Sequence, residues 1–246
     1  MIHWRGMKRA MWEQLLIVIS IIFALFMLYC VIPNYWARNH SRAVVRTGNK
    51  KSPYIALTFD DGPNPEYTPK LLDILKEHDV KATFFVVGKN AQRYPDILRR
   101  IHSEGHVIGC HSFSHRHAWL LSPVNTFRDL KRVCRILEDE LGHNPGWYRP
   151  PWGMFNMFTL IAAQKMGLAT AYWSIEAQDW ESKTKPQHIY NTVISQAKAG
   201  SIVVLHDSGG APSAPANTLE ALPLIINNLK EKGYKFVTLE DMKGDQ

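Results

Sequence analysis

From residue 53 onward, short apolar runs suited to β-strands alternate with helical stretches, and this alternation restricts the fold more than any other feature. Strand-type runs fall at residues 54–59, 83–87, 107–110, 147–149, 169–174, 202–205 and 235–238. Cap-plus-proline pairs, Thr68-Pro69 and Ser122-Pro123, open two of the intervening helices, and Leu141-Gly142 stops the second. Further helices are expected at 95–103, 156–166, 186–199 and 218–232. Strand–helix units repeated in this way place each new strand parallel to the last, because the helix carries the chain back across the sheet. The expected fold is therefore α/β, with about seven or eight parallel strands, closed into a barrel or open and doubly wound. A chain of 246 residues with 46 % hydrophobic and 21 % charged side chains can bury one such core. No internal repeat or low-complexity tract interrupts the pattern. The Gly/Pro/Ala-rich stretch 207–217 reads as a rim loop.

The segment before residue 53 is of a different kind. Residues 15–32 (LLIVISIIFALFMLYCVI) are eighteen in number, with only Ser20 and Cys30 mildly polar, which meets the length of a membrane-spanning helix. Trp12, Tyr35 and Trp36 stand where interfacial anchors belong. A cleaved signal peptide would need a shorter core and a small-x-small site, and Val31-Ile32-Pro33-Asn34-Tyr35 offers none. The expected organisation is an N-terminal membrane anchor at 1–36, a basic juxtamembrane linker at 37–52 and one α/β domain at 53–246. Much of the net charge of +7 flanks the apolar run (Arg5, Lys8 and Arg9 before it; Arg38, Arg42, Arg46, Lys50 and Lys51 after it), as suits an anionic membrane or envelope surface. Because both ends are basic, charge sets no orientation. No nucleic-acid-binding spacing is present, and no specific protein partner is implied. The three cysteines form no disulfide framework and read as free thiols.

The chemistry-bearing residues gather at strand ends. Asp60-Asp61 follow the first strand, His111 and His115 the third, Arg149 the fourth, and Asp179 and His206 later ones. Carboxylates and imidazoles crowded onto one rim destabilise one another unless a ligand or metal compensates. Two histidines four apart are usually no more than a surface pair. Beside Asp-Asp at a strand end, they read as two ligands of a three-ligand divalent-metal site with open positions. Adjacent carboxylates diverge, so one is free to take a proton while the other binds metal.

The set Thr58-Phe59-Asp60-Asp61-Gly62-Pro63, His111-Ser112-Phe113-Ser114-His115, Arg149-Pro150-Pro151-Trp152, Asp179-Trp180 and Leu205-His206 resembles the five ordered motifs of the polysaccharide deacetylases (NodB-homology domain, carbohydrate esterase family 4). The resemblance covers about residues 53–242. It implies a distorted (β/α) barrel and removal of N-acetyl groups from GlcNAc- or MurNAc-type residues of a cell-envelope glycan. Joined to the anchor read at residues 1–36, the family's envelope substrates imply a single-pass membrane protein whose catalytic domain is extracytoplasmic. By motif, Asp61, His111 and His115 resemble the ligands of one divalent ion, zinc, with cobalt or another divalent ion as alternatives. Asp60 resembles the general base, His206 the general acid, Arg149 the group holding Asp60, and Asp179 the group orienting His206. Pro151, Trp152, Trp180 and Leu205 fall at substrate-binding positions. Three positions depart from the pattern: Trp152 where Tyr or Phe is usual, Glu176 where Asp often stands, and Cys110 where Asn commonly precedes the first metal histidine. An O-acetyl esterase would use the same groups. An inactive sugar-binding domain would be expected to have lost one of them.

Overall fold

The computed structural model describes residues 2–245; the side chains of residues 2–9, and with them the Arg5, Lys8 and Arg9 cluster, lie outside that description. Nine strands form one sheet: β1 Val44–Val45, β2 Tyr54–Asp60, β3 Thr83–Val86, β4 Val107–Cys110, β5 Trp147–Tyr148, β6 Ala169–Ala171, β7 Ile175–Glu176, β8 Ile202–His206 and β9 Lys235–Phe236. Every pairing is parallel, in the order β1-β6-β5-β4-β3-β2-β8-β7, with β9 beside the start of β2. β1 and β7 form the two ends of this path, so the eight strands curve into a half-barrel with helices outside.

The two-residue alternation of a strand sorts side chains between the faces. Ile55, Leu57 and Phe59 of β2 and Val203 and Leu205 of β8 join the large cluster under the helices, with Leu71, Leu72, Leu75, Ile225 and Leu229. Ala56 and Ile202 point the other way, into a smaller cluster with Phe85 and Trp147. The inner face thus carries Thr58 and Asp60 on β2 and Val204 and His206 on β8. Gly109 on β4 is required by packing, because a Cβ there would lie 2.7 Å from the Phe85 ring.

Most expected elements are present, with shifts that have local causes. The strand expected at 169–174 stops at Ala171, and β7 follows only beyond it at Ile175–Glu176. The helix expected from 156 starts at Thr159, because the Asn156 side chain accepts from Phe158 N–H at 2.9 Å and from the Thr159 hydroxyl at 3.0 Å and holds the entry turn. The helix Ala214–Glu231 begins inside the expected rim loop.

The largest difference lies at the N-terminus. The apolar helix runs from Ile2 to Phe26, passes through a π-helical turn at Met27–Val31 and continues over Ile32–Asn39. Pro33 has no N–H to give to the Tyr29 carbonyl four residues back. That carbonyl accepts instead from Met157 N–H of the domain at 2.9 Å. The Tyr29 hydroxyl donates to the Leu121 carbonyl at 2.7 Å, and Asn34 Oδ1 accepts from Phe155 N–H at 3.0 Å. Residues 37–52, expected as a basic juxtamembrane linker, are folded into the domain. The Arg46 guanidinium caps the helix end through the carbonyls of Ala37, Arg38 and Ser41, β1 pairs with β6, and Gly48 N–H reaches the Gly200 carbonyl at 2.8 Å. Basic composition suggested a linker facing an anionic surface; the Arg46 guanidinium binds backbone carbonyls instead.

Candidate active site

A cleft of about 490 Å³ opens at the C-terminal ends of the strands, lined by Asp60, Asp61, His111, His115, Trp152, Trp180 and His206 among others. Strand ends deliver the reactive side chains and loops complete the wall, as in other parallel α/β folds. Among the described residues, five of the six non-glycine residues with positive φ lie in these loops: Asp61, Ser112, His115, Trp152 and Gln178. Left-handed backbone at such residues is costly and persists where the surroundings enforce it, so the rim is strained where side chains must be aimed.

Asp61, His111 and His115 each offer one ligand atom, all within 4.8 Å of one another. His111 Nδ1 lies 2.8 Å from the Arg149 carbonyl and must donate to it. Its Nε2 is then an acceptor, 3.3 Å from Asp61 Oδ1, while His115 Nε2 is 2.9 Å from that same oxygen. Asp61 Oδ1 is buried and has no hydrogen-bond donor. Acceptor atoms converging on one point, one of them an orphaned carboxylate oxygen, fit a divalent cation. Gly209 closes the far side: a Cβ there would fall 2.2 Å from Asp61 Oδ2.

Asp60 is held on the other flank. The fully buried Arg149 donates through Nη1 to Asp60 Oδ1 at 2.7 Å and to the Thr58 hydroxyl at 2.8 Å, and through Nη2 to the Tyr172 carbonyl at 3.1 Å. Its guanidinium carbon lies 4.2 Å from the Phe85 ring centre. Asp60 Oδ2 remains free of Arg149 and lies 3.9 Å from His111 Nε2.

His206 faces the cleft from β8. Its Nδ1 and backbone N–H each lie 2.8 Å from the buried Asp179 carboxylate, which also accepts from the Thr218 hydroxyl at 2.8 Å. Burial would lower the His206 pKa; the charge and hydrogen bond of Asp179, with Asp61 and Asp60 nearby, raise it to about 10. Behind the site, Asp207 accepts from the Thr68 hydroxyl and is raised by burial and by Asp61 to about 7.

The structure therefore brings together Asp60, Asp61, His111, His115, Arg149, Asp179, His206, Trp152 and Trp180. Two expected substrate-binding residues sit elsewhere. Leu205 is packed under the helices and Val204 lines the cleft, because His206 faces inward and its strand neighbour two residues back shares that face. Pro151 is buried behind Trp152 and does not line the cleft. Cys110 points outward, its sulfur 3.4 Å from that of Cys134, and all three cysteines are free and buried. His106 accepts from Ala82 N–H, and burial lowers its pKa to about 4, as suits a structural histidine. Sequence reading missed Arg38, Met154, Trp173, Gly209 and Gly210, which also line the cleft. Strand alternation signalled Val204 and the Gly-Gly pair signalled a close approach; nothing in the sequence signalled Arg38.

A clustered acceptor set flanked by a clamped carboxylate and a carboxylate-backed imidazole, on a parallel half-barrel, is the equipment of a metal-assisted hydrolase. Sequence comparison narrows the class: the polysaccharide deacetylase profile matches residues 47–171. The chain belongs to the polysaccharide deacetylase family, the metal-dependent carbohydrate esterase family 4. A Bacillus cereus peptidoglycan-N-acetylglucosamine deacetylase is 37 % identical over 210 residues, covering 85 % of this chain and 74 % of that protein. The peptidoglycan-N-acetylmuramic acid deacetylase PdaA of Bacillus subtilis is 35 % identical over 198 residues, covering 79 % and 73 %. A crystal structure of a peptidoglycan N-acetylglucosamine deacetylase superposes with a TM-score of 0.79 at 36 % identity, covering 85 % of this chain and 96 % of that one. A family pseudoenzyme from Bacillus anthracis also superposes, with a TM-score of 0.75 at 28 % identity, covering 83 % and 70 %.

Proposed function

We propose that this chain is a membrane-anchored N-deacetylase of peptidoglycan, acting on GlcNAc or MurNAc residues outside the cytoplasm. The convergence of Asp61, His111 and His115 between Asp60 on one flank and His206 on the other carries this reading. Asp61, His111 and His115 would hold one divalent ion, and the two-imidazole, one-carboxylate donor set suits zinc. Such an ion, when bound, supplies Lewis-acid polarisation of the acetyl carbonyl and acidification of the attacking water. Asp60 accepts the proton of that water on the oxygen that Arg149 leaves free. Arg149 is a positioning residue, fixing the Asp60 carboxylate through Thr58 and the Tyr172 carbonyl. His206 is protonated at neutral pH and donates from Nε2 to the departing amine, with Asp179 holding the ring through Nδ1. Trp152, Trp180 and Val204 wall the acetyl group and its sugar. The match to a pseudoenzyme makes the side chains, rather than the fold, the argument for activity, and each group the reaction needs is present. The exposed apolar helix and the envelope substrates of the relatives support residues 1–36 as an anchor and 53–246 as the catalytic domain, with 37–52 contributing β1.

The test is acetate release by the full chain from purified peptidoglycan, chitooligosaccharides and acetylated xylan, with and without added zinc. Release from peptidoglycan, lost in Asp60→Asn and in His206→Ala, is expected. Release from acetylated xylan alone would replace the reading with an O-acetyl esterase. Release undiminished in both variants would refute the mechanism.

A further inference from the structure

The face that receives the apolar helix carries apolar side chains the helix does not cover. Leu120 is 77 % exposed, Val124 63 %, Met157 43 % and Ile161 41 %. Scattered exposed apolar residues are ordinary; several around one docking point are not. They lie in two stretches, 120–124 and 157–161, each bonded to the helix by a residue within it. The Trp119 ring packs on Phe26 at 5.5 Å, Leu121 accepts from Tyr29, Met157 N–H bonds the Tyr29 carbonyl, and the Phe158 ring lies 6.1 Å from that of Tyr29. Leu120 stands between Trp119 and Leu121, Val124 three residues beyond Leu121, and Ile161 one helical turn beyond Phe158.

Basic residues flank the apolar ones at helical spacing. Arg128 follows Val124 by four residues on the helix Pro123–Leu141, and Lys165 follows Ile161 by four on Thr159–Lys165, so each pair shares a helix face. A groove of about 560 Å³ beside them is lined by Lys89, Arg116, Arg128 and Arg132, with Asp129 as the one acidic residue. Apolar side chains at the foot of a hydrophobic helix, bordered by cations, match the boundary between hydrocarbon and anionic headgroups.

We propose that this face is a second membrane contact. The catalytic domain lies on the anionic bilayer surface from which its own helix emerges, with Leu120, Val124, Met157 and Ile161 at the hydrocarbon boundary and Arg128 and Lys165 among the headgroups. The inference rests on reading residues 15–32 as a spanning helix. It also sets where the cleft opens. Ring contacts run from Phe26 to Trp119, from Trp119 to His117 at 5.5 Å and from His117 to Trp152 at 5.3 Å, so the cleft rim is three contacts from the anchor.

Full-length protein in phosphatidylglycerol–phosphatidylethanolamine vesicles tests this. Leu120→Cys, Val124→Cys and Ile161→Cys would each carry an environment-sensitive fluorophore. Lys232→Cys, exposed beyond the helix Ala214–Glu231 at the opposite end of the strands, is the control. The three native cysteines are buried, and labelling of the parent chain sets the background. Acetate release from a soluble oligosaccharide confirms that each variant is folded. Emission at 120, 124 and 161 is expected to blue-shift, to be lost to lipid-borne nitroxide and to resist aqueous iodide, with the reverse at 232. Iodide quenching equal at all four positions overturns the proposal, including the case in which another protein covers this face. Carbonate washing separates the two readings: release from the vesicles sinks the anchor, while retention with iodide-accessible labels sinks only the docking.

Discussion

Replacing Asp179 by Asn tests the chemistry most directly, because it keeps the side chain's shape and removes its charge. Asp179 accepts from His206 twice and from Thr218 once, each at 2.8 Å. Together with Asp61 and Asp60 it outweighs burial and raises His206 from 6.5 to about 10. At about 1.4 kcal/mol per pH unit, that difference favours the imidazolium by roughly 5 kcal/mol. In Asp179→Asn the burial remains while the largest raising influence is gone, so His206 is expected to fall back toward the ordinary imidazole value of about 6.5, with Asp61 and Asp60 still opposing burial. A group titrating at about 6.5 is protonated in about 3 % of molecules at pH 8, which would cost up to about 30-fold in rate, within the span attributed to general acid–base groups. A bound dication lowers His206 in parent and variant alike, so the shift between them persists. The assay is kcat/KM for acetate release from pH 5 to 10. The alkaline limb is expected to move toward acid by up to about 3 pH units, and the deficit to shrink toward pH 6. An alkaline limb that stays in place would refute the assignment of His206 as the acid and of Asp179 as its support.

The same pairing affects stability. A histidine raised on folding stabilises fully below its unfolded pKa and ceases to do so above its folded one, so the Tm deficit of Asp179→Asn should be largest below pH 6.5 and close toward pH 10. Gly209→Ala places a Cβ 2.2 Å from Asp61 Oδ2 at a φ of +73°, and should cost about 1 kcal/mol or more while weakening zinc binding by equilibrium dialysis. Arg149→Lys keeps a charge but cannot span Asp60, Thr58 and the Tyr172 carbonyl, so kcat should fall about 100-fold with little change in KM; unaltered kcat would remove its positioning role. A fragment starting at residue 53 lacks β1 and leaves the β6 edge bare, so it should melt lower and aggregate sooner than one starting at 37.

The sequence made the reactive residues legible because they are polar groups at the ends of apolar strands, where little but function explains them. Strand alternation also separates Val204 from Leu205 once His206 is known to face inward. β1 and Arg38 were illegible for a physical reason. A two-residue strand has no periodicity to read, and a basic, turn-rich stretch looks solvated whether its arginines face water or, like Arg46, cap carbonyls. The docking of the helix was hidden in Pro33, whose effect depends on a distant N–H being in place to take the carbonyl it frees.

That carbonyl has a spatial consequence. A domain on a flexible tether samples a volume set by the tether's length, and its effective concentration falls as that volume grows. Here Met157, Phe155 and Leu121 are bonded to the helix itself, which leaves no slack. If the helix spans the bilayer as proposed, the cleft works at one fixed height, on glycan that passes through a thin layer. Which acetyl groups it removes is then decided partly by altitude, through backbone hydrogen bonds that never touch a sugar.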